Sequence, residues 1–473
     1  MQCKLYCRGP ACKYCDPAAW PSEDQAIKGV YSSWITPELL AMARPTQSSI
    51  QQYEIIRQFK QQQIKTVINL QCLNEHSFCG PPLLSCGFSY DPESLMRNKI
   101  YYYNFAMPDF GISNIYSLLD IIKVMSFAAQ QGKIAIHCHA GLGRTCTLIA
   151  CYLVWSKCIN ATTAIKIVRS KRSKSIQSPR QIVLVEQLAT LMEKQAVALP
   201  FEEGLSLSSY LMLQNDFISS EETRRFSHIP KVVFHTCDRL LHLVFEGHVK
   251  YITPKGDKGA KHNVRECTIG KIVVEWKNAF SSKGRAQTRY VVNILARVST
   301  FPFEQDESVK NQFQTEATVV NIDKILEGMD ASRLVHLLNY YMQGIKKPYC
   351  DKKQLIAVFE NFSAEEQNSN PEDQEEQKSE ELDSRLKLQS WQCLVFYLLN
   401  VLSYLTGENY EVCSNLVTGW IFGLHCPELK ATIHNYMRDL FARNLREQEH
   451  QSRIRKAFIA EQNEKRARDH ALS

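Results

Sequence analysis

Apolar positions recur at helical spacing from Ser49 to Gln63, where Tyr53, Ile56 and Phe59 fall on one side. Pro37–Arg44 also carries a helical pattern. The pattern then changes period. Ile64–Leu70 is a short β-branched run and predicts a buried strand. Cys79–Glu93 contains Gly-Pro-Pro and predicts a loop. Ile100–Met107 predicts a second strand, and Asn114–Gln131 an amphipathic helix ending at Gly132. Lys133–Cys138 predicts a third strand, followed by a Gly-rich turn and a helix over Thr145–Lys157. Ala161–Ser170 and Gln181–Gln195 predict further helices. Strands alternating with helices in this way predict an α/β fold, a central mostly parallel sheet flanked by helices in three layers, closing near residue 195.

Beyond that point the pattern is weaker. Lys271–Trp276 and Arg289–Val298 are strand-like runs flanking the polar turn Ser281–Gly284, as in a hairpin. Val319–Met342, Leu355–Phe362, Leu386–Thr406 and Leu429–Leu445 read as helices, so the C-terminal extension is expected to be mainly helical. The resulting division is 1–195 as the α/β domain, 196–300 as a mixed α/β extension and 301–362 as a helical region. Residues 363–384 form an acidic, disordered linker, and 385–473 a helical region with a charged tail.

Composition narrows the picture in two ways. The 473 residues carry a formal charge of +7. Ser363–Ser384 holds nine acids against Lys378, a net of −8, so the remainder carries +15. That balance suits an anionic substrate, but no single stretch is basic enough to predict nucleic-acid binding. The 17 cysteines are odd in number and mostly irregular in spacing, which argues against a disulfide framework and fits reduced thiols in a cytoplasmic or nuclear compartment. The most apolar stretch, Trp391–Leu405, is interrupted by Gln392, Asn400 and Ser403 and predicts no membrane span. The N-terminus lacks the apolar core of a secretory signal.

Candidate chemistry concentrates in Ile134–Thr145, I-A-I-H-C-H-A-G-L-G-R-T. A strand ends at Cys138, where open α/β sheets bind ligands. Gly141 and Gly143 let the following loop curl, so that backbone N–H groups converge on one point. The helix from Arg144 aims its positive dipole there. Arg144 can grip two phosphate oxygens in a bidentate fork. Thiols in such fields ionise with pKa values of roughly 3.5–7.5, which makes Cys138 a candidate nucleophile for phosphoryl transfer.

This segment resembles the signature H-C-x5-R-[ST] of the cysteine-dependent protein tyrosine and dual-specificity phosphatases, matched by His137 through Thr145. Ala26–Ile35, Ala41–Pro45 and Val67–Gln71 with Glu75-His76 extend the resemblance, which covers about residues 1–195. It implies a phosphatase fold and a metal-free, cofactor-free hydrolysis in two steps. By the same resemblance Cys138 is the nucleophile, and Arg144 binds phosphate and stabilises the transition state. Thr145 assists departure of the thiolate, and His137 orients the loop and lowers the thiol pKa. His139, Ala140, Gly141, Leu142 and Gly143 complete the phosphate-binding loop. Asp109, in Met107–Gly111, matches the general acid, which protonates the leaving oxygen and then deprotonates water. Gln181 matches a water-positioning glutamine. Its competing reading is a helix-start residue.

Two departures stand out. Cys146 replaces the glycine usual after Arg-Thr and reads as a thiol crowding the loop or a redox partner. Lipid phosphatases of the superfamily carry lysines at the positions of His139 and Leu142, and neither is lysine here. Cys72, just after the first strand, is a second candidate redox partner for Cys138. Cys3, Cys7, Cys12 and Cys15 have enough thiols for a zinc site, with simple packing as the competing reading. In the C-terminal third, Leu337–Pro348 and Asn409–Val417 are similar to Rho-family GTPase-activating domains. Asn339 stands where those have lysine, and the arginine-finger segment is missing, which leaves a helical module for protein partners.

The expectation is therefore a phosphatase acting on phosphotyrosine, and on phosphoserine or phosphothreonine, in phosphoprotein substrates. The rival readings are a catalytically impaired phospho-binding scaffold and a phosphoinositide phosphatase. The resemblance adds a centrosomal or ciliary association.

Overall fold

In the computed structural model, the described residues are 9–108, 114–196, 198, 205–245, 249–252, 271–274, 288–296, 313, 317–345, 380–406, 409–422, 430–442 and 446. The chain divides into two compact units. The first is Met1–Ala196 with Asp216–Ser220, and the second is Val197–Asn215 with Glu221–Ser473.

The first unit is built on a five-stranded sheet. Its strands are β1 (Ser32–Trp34), β2 (Leu39–Met42), β3 (Ile64–Asn69), β4 (Tyr101–Asn104) and β5 (Lys133–His137), in the order β1-β2-β5-β3-β4. Only the β1–β2 pair is antiparallel. β5 lies at the centre, with Met42↔His137 on one side and Asn69↔His137 on the other. Strands covered on both faces need apolar residues at nearly every position. β2 and the last four residues of β3 and β5 are accordingly buried throughout.

Helices cover the sheet. On one face α1 (Gln47–Gln52), α2 (Ile55–Gln61) and α3 (Pro92–Arg97) contribute Ile50, Ile55, Phe59 and Leu95 to a core with Leu40, Met42, Val67 and Ala135. α4 (Ile115–Gln131) begins at the Asn114 cap, whose Oδ1 accepts from Tyr116 N at 3.0 Å, and stops at Gly132. α5 (Arg144–Lys157) is buried along nearly its whole length, as a helix apolar on all sides should be. α6 (Ala161–Lys171) and α7 (Pro179–Gln195) pack against it. α7 opens with a capping box between Ser178 and Gln181.

The second unit is mainly helical. α8 (Lys231–Val244) packs on α9 (Ala331–Gly344), and α10 (Glu380–Thr406) on α11 (Tyr410–Phe422). Asn339, buried on α9, accepts a hydrogen bond from Trp420 Nε1 at 2.9 Å through Oδ1. β6 (Val249–Ile252) and β7 (Lys271–Val274) form an antiparallel pair. No helix among the described residues is long and apolar enough to cross a membrane.

Five expectations change. Pro37–Arg44 holds strand β2 rather than a helix, because the Leu-Leu-Ala-Met run is paired on both sides. The single helix over Ser49–Gln63 is two helices, interrupted at Glu54 with φ at 49°. Residues 288–296 are helical, so β7 pairs with β6 and not with that run. Val319–Met342 is broken between Ile322–Leu326 and α9. The acidic segment 363–384 was expected to be unstructured to its end, yet α10 begins at Glu380. Residues 363–379, like Leu355–Phe362, lie outside the described residues.

Candidate active site

Cys138 follows β5 directly and is 4% exposed. The loop from His137 to Gly143 is held from outside by its carbonyls. His137 O accepts from Leu70 N (2.9 Å) and His139 O from Arg44 N (3.0 Å). Ala140 O accepts from Arg172 Nη2 (3.1 Å), Gly141 O from Arg172 Nε (2.7 Å) and Leu142 O from Ile176 N (3.0 Å). Among the described residues no peptide bond is cis. In a trans peptide the C=O and the next residue's N–H point in opposite directions. The N–H groups of Ala140, Gly141, Leu142 and Gly143 are thereby turned toward the inside of the loop. α5 adds to this. Its N-cap is Gly143, and no side chain caps the first turn, so that end of the helix is left to the loop.

Gly141 is where the curl is decided. Its φ is +66°, and a Cβ there would lie 2.0 Å from Met42 O and 2.4 Å from Met42 C. Only glycine fits.

Arg144 is 4% exposed, and its guanidinium plane is fixed by Glu75. Nη1 donates to Oε2 at 2.7 Å and Nη2 donates to Oε1. Nη1 also donates to Met107 O at 2.8 Å and to Leu70 O at 3.3 Å. Glu75 in turn accepts from Cys72 N at 3.0 Å. Arg172, 1% exposed, has Ser33 Oγ at 2.9 Å and the Tyr31 ring face at 3.8 Å besides its two loop carbonyls. Burial lowers its pKa.

His137 is fully buried, which pushes its pKa down to about 4. The ring is therefore neutral near pH 7. Cys138 O, 3.1 Å from Nδ1, can only accept, so Nδ1 carries the proton and Nε2 accepts from Tyr90 OH at 2.8 Å. A neutral ring brings no net charge to the loop, and its contact with Cys138 O fixes its orientation. Thr145 is fully buried, and its hydroxyl has no hydrogen-bond partner among the described residues. Cys146 lies under the loop, donating from Sγ to Gly141 O at 3.4 Å, with its pKa pushed up to about 12 mainly by burial. It is a packed, protonated thiol.

Gln181 does two things. Its Oε1 accepts from Gln177 N (2.8 Å) and Ser178 N (3.2 Å), the helix-start arrangement. Its Nε2 would lie 2.7 Å from a Cβ on Gly143, which puts the amide beside the loop. The His139 side chain turns away from the loop interior toward Cys12, with Nε2 3.4 Å from Sγ. Asp109 lies outside the described residues, as do Cys3 and Cys7.

Sequence reading alone missed the groups that hold the site: Glu75 as the partner of Arg144, Arg44 and Arg172 as supports of the loop, and Tyr90 behind His137. Glu75 was visible only as part of a resemblance. The arginines gave no local signal, since each acts on a segment distant in sequence.

The family model for the dual specificity phosphatase catalytic domain matches residues 48–194. Protein tyrosine phosphatase domain-containing protein 1 of Mus musculus is 46% identical over 248 residues, which cover 51% of this chain and 33% of that protein. The protein of that name from Danio rerio is 46% identical over 246 residues, covering 51% and 34%. Phosphatidylglycerophosphate phosphatase PTPMT2 of Arabidopsis thaliana is 31% identical over 107 residues, covering 22% of this chain and 42% of that protein. The matched region thus spans about a third of the length of the first two relatives. Residues 48–194, about a third of this chain, are thus similar to the dual specificity phosphatase catalytic domain.

Proposed function

We propose that this chain hydrolyses phosphomonoesters on proteins, at phosphotyrosine and also at phosphoserine or phosphothreonine, through a phosphocysteine intermediate. The observation that carries the reading is the ring of outward carbonyls, which turns the loop's N–H groups inward beside Cys138, where the uncapped end of α5 also begins. Such a site suits a tetrahedral dianion.

In the first step the Cys138 thiolate attacks phosphorus and the ester oxygen departs, protonated by Asp109. In the second, Asp109 takes a proton from water placed by Gln181, and the water oxygen attacks phosphorus. The Cys138 sulfur leaves as thiolate, accepting a hydrogen bond from the Thr145 hydroxyl, and inorganic phosphate is released. The position of Asp109 two residues after Met107, whose carbonyl is bonded to Arg144, supports its role.

Turnover of an aryl phosphate and of phosphopeptides by the full chain tests the reading. Cys138→Ser should abolish it, and Asp109→Ala should cut kcat roughly 10²–10⁴-fold. Phosphopeptide binding without turnover by the unmodified chain would make it a scaffold instead. The likeness to a relative named for phosphatidylglycerophosphate favours adding a soluble phosphoinositide as a second arm. A higher kcat/KM on that substrate than on phosphopeptides would overturn the protein-substrate assignment.

A further inference from the structure

Outside the phosphate loop, sulfur and imidazole groups gather at one buried point. Cys12 is 1% exposed, Cys79 0% and His139 4%. Their ligand atoms all lie within 4.8 Å of one another. A tetrahedral zinc with bonds of about 2.3 Å to sulfur separates its ligand atoms by roughly 3.5–3.8 Å, so small side-chain rotations close the set. Cys15 is adjacent: its thiol is hydrogen-bonded to Cys12, and its Sγ lies 3.7 Å from Cys79 O. The three residues come from separate parts of the first unit, namely the N-terminal segment, the loop after β3 and the phosphate loop.

The backbone is shaped around this point. Cys12–Cys15 and His76–Cys79 each make the same tight turn, with Cys15 N donating to Cys12 O and Cys79 N to His76 O, both at 3.0 Å. Gly80 N donates to Gly9 O at 3.1 Å and draws the two turns together. Gly80 has φ at +70°, and a Cβ there would lie 2.5 Å from Cys15 Cβ. The His139 ring is stacked on His76 at 4.0 Å with 12° between planes.

Charge supplies an independent argument. Arg44 is 2% exposed and sits against the cluster. Its guanidinium donates to Cys79 O (2.5 Å), His76 O (3.1 Å) and Glu75 O (3.3 Å), and to Cys15 Sγ (3.7 Å). Among the described residues no carboxylate forms an ion pair with it. A buried cation without an anion is costly. A dication held by three thiolates and a neutral imidazole leaves one net negative charge, placed against Arg44.

We propose that Cys12, Cys15, Cys79 and His139 bind one zinc ion. Binding displaces three thiol protons to solvent, with sulfur remaining at its thiol oxidation state. The ion ties the N-terminal segment and the loop after β3 to His139, the residue following Cys138. It is structural: four protein ligands leave no open position for substrate.

The test is metal content of the full chain, expressed with zinc in the medium and purified under reducing conditions without chelator. About one zinc per chain is expected, falling below about a tenth in the Cys12→Ser, Cys79→Ser double variant. Cobalt(II) added to the metal-free chain should give the intense visible bands of tetrahedral thiolate coordination. The unmodified chain decides the matter even if the double variant fails to fold. Folded chain without zinc that develops no cobalt–thiolate bands overturns the proposal. So does a Cys12–Cys79 disulfide in peptide maps, or zinc retained by the double variant. These readouts are independent of whether the chain turns over phosphate esters.

Discussion

Gly141→Ala is the sharpest perturbation of the loop. The added methyl would sit 2.0 Å from Met42 O, 2.4 Å from Met42 C and 2.9 Å from Ala43 N, all atoms of β2 or its continuation. β2 is paired on both sides and has no freedom to retreat. The loop must move instead, by roughly 1 Å to restore van der Waals contact, and such overpacking costs about 1–3 kcal/mol. Alanine at φ +66° adds roughly 1–2 kcal/mol of backbone strain. The total of about 2–5 kcal/mol is large against a stability of roughly 5–15 kcal/mol. A displacement near 1 Å in a catalytic loop lowers turnover about 10²-fold. Urea unfolding of the variant, with aryl phosphate kinetics on its folded fraction, measures both. Gly143→Ala is the control. The nearest atom to a Cβ there is Gln181 Nε2, at 2.7 Å, a side-chain rather than a backbone atom, and φ is −82°. It should cost under about 1 kcal/mol. Equal unfolding midpoints for the two variants would refute the reasoning.

Other consequences follow from the same contacts. Glu75→Ala leaves the buried Arg144 guanidinium without its carboxylate and should cost about 3–5 kcal/mol in urea unfolding, with a raised KM for aryl phosphate. Unchanged stability would mean that Arg144 is held in place without Glu75. Arg172→Met removes donors from Ala140 O and Gly141 O, each loss costing about 1–3 kcal/mol, and should weaken competitive inhibition by inorganic phosphate. Lost stability with unchanged inhibition would separate the loop's anchoring from its affinity. Cys146, fully buried with its pKa raised to about 12, should resist iodoacetamide at pH 8 while the exposed Cys86 reacts, as read by peptide mass mapping. Rapid labelling of Cys146 in folded protein would restore it as a redox partner. Trp155→Phe removes the 2.7 Å bond from Nε1 to Phe217 O and should cost about 1–3 kcal/mol in urea unfolding.

The strand–loop–helix core of the site was legible because its signals are contiguous. Cys138, Gly141, Gly143 and Arg144 fall within seven residues, and β-branched residues, glycines and the helix start each have a local cause. Pro37–Arg44 shows the limit. Leu-Leu-Ala-Met favours a helix, and it becomes a strand only because Met42 pairs with Ser32 on one side and His137 on the other. Glu54 shows another. A polar residue in an amphipathic run gives no warning that it will take φ 49° and divide the helix. Glu75 meets Arg144 from 69 residues away and Arg172 meets Gly141 from 31, distances at which sequence periodicity carries nothing. The cysteine spacing near the N-terminus did suggest a metal site. The partners that the structure brings to Cys12, Cys79 and His139, are 67 and 127 residues further along the chain.

On the proposed reading the loop receives an anion, and one support on its outside, Arg172, is a cation. Guanidinium donors on Ala140 O and Gly141 O draw electron density outward through the peptide groups, and a polarised peptide makes its opposite N–H a stronger donor. On the proposed reading Arg172 would act on a bound phosphate through the backbone. Gly141 is the node of this arrangement. Its carbonyl takes Arg172 Nε and Cys146 Sγ together, and its bare Cα lies against Met42. The three contacts have to be satisfied by one peptide orientation. A change to any of them shifts the other two, so substitutions at Gly141, Arg172 and Cys146 should be non-additive in stability. The glycine usual in the family at the position of Cys146 would offer Gly141 O no thiol donor. In this chain that thiol is a further fastening of the loop, and its burial keeps it protonated.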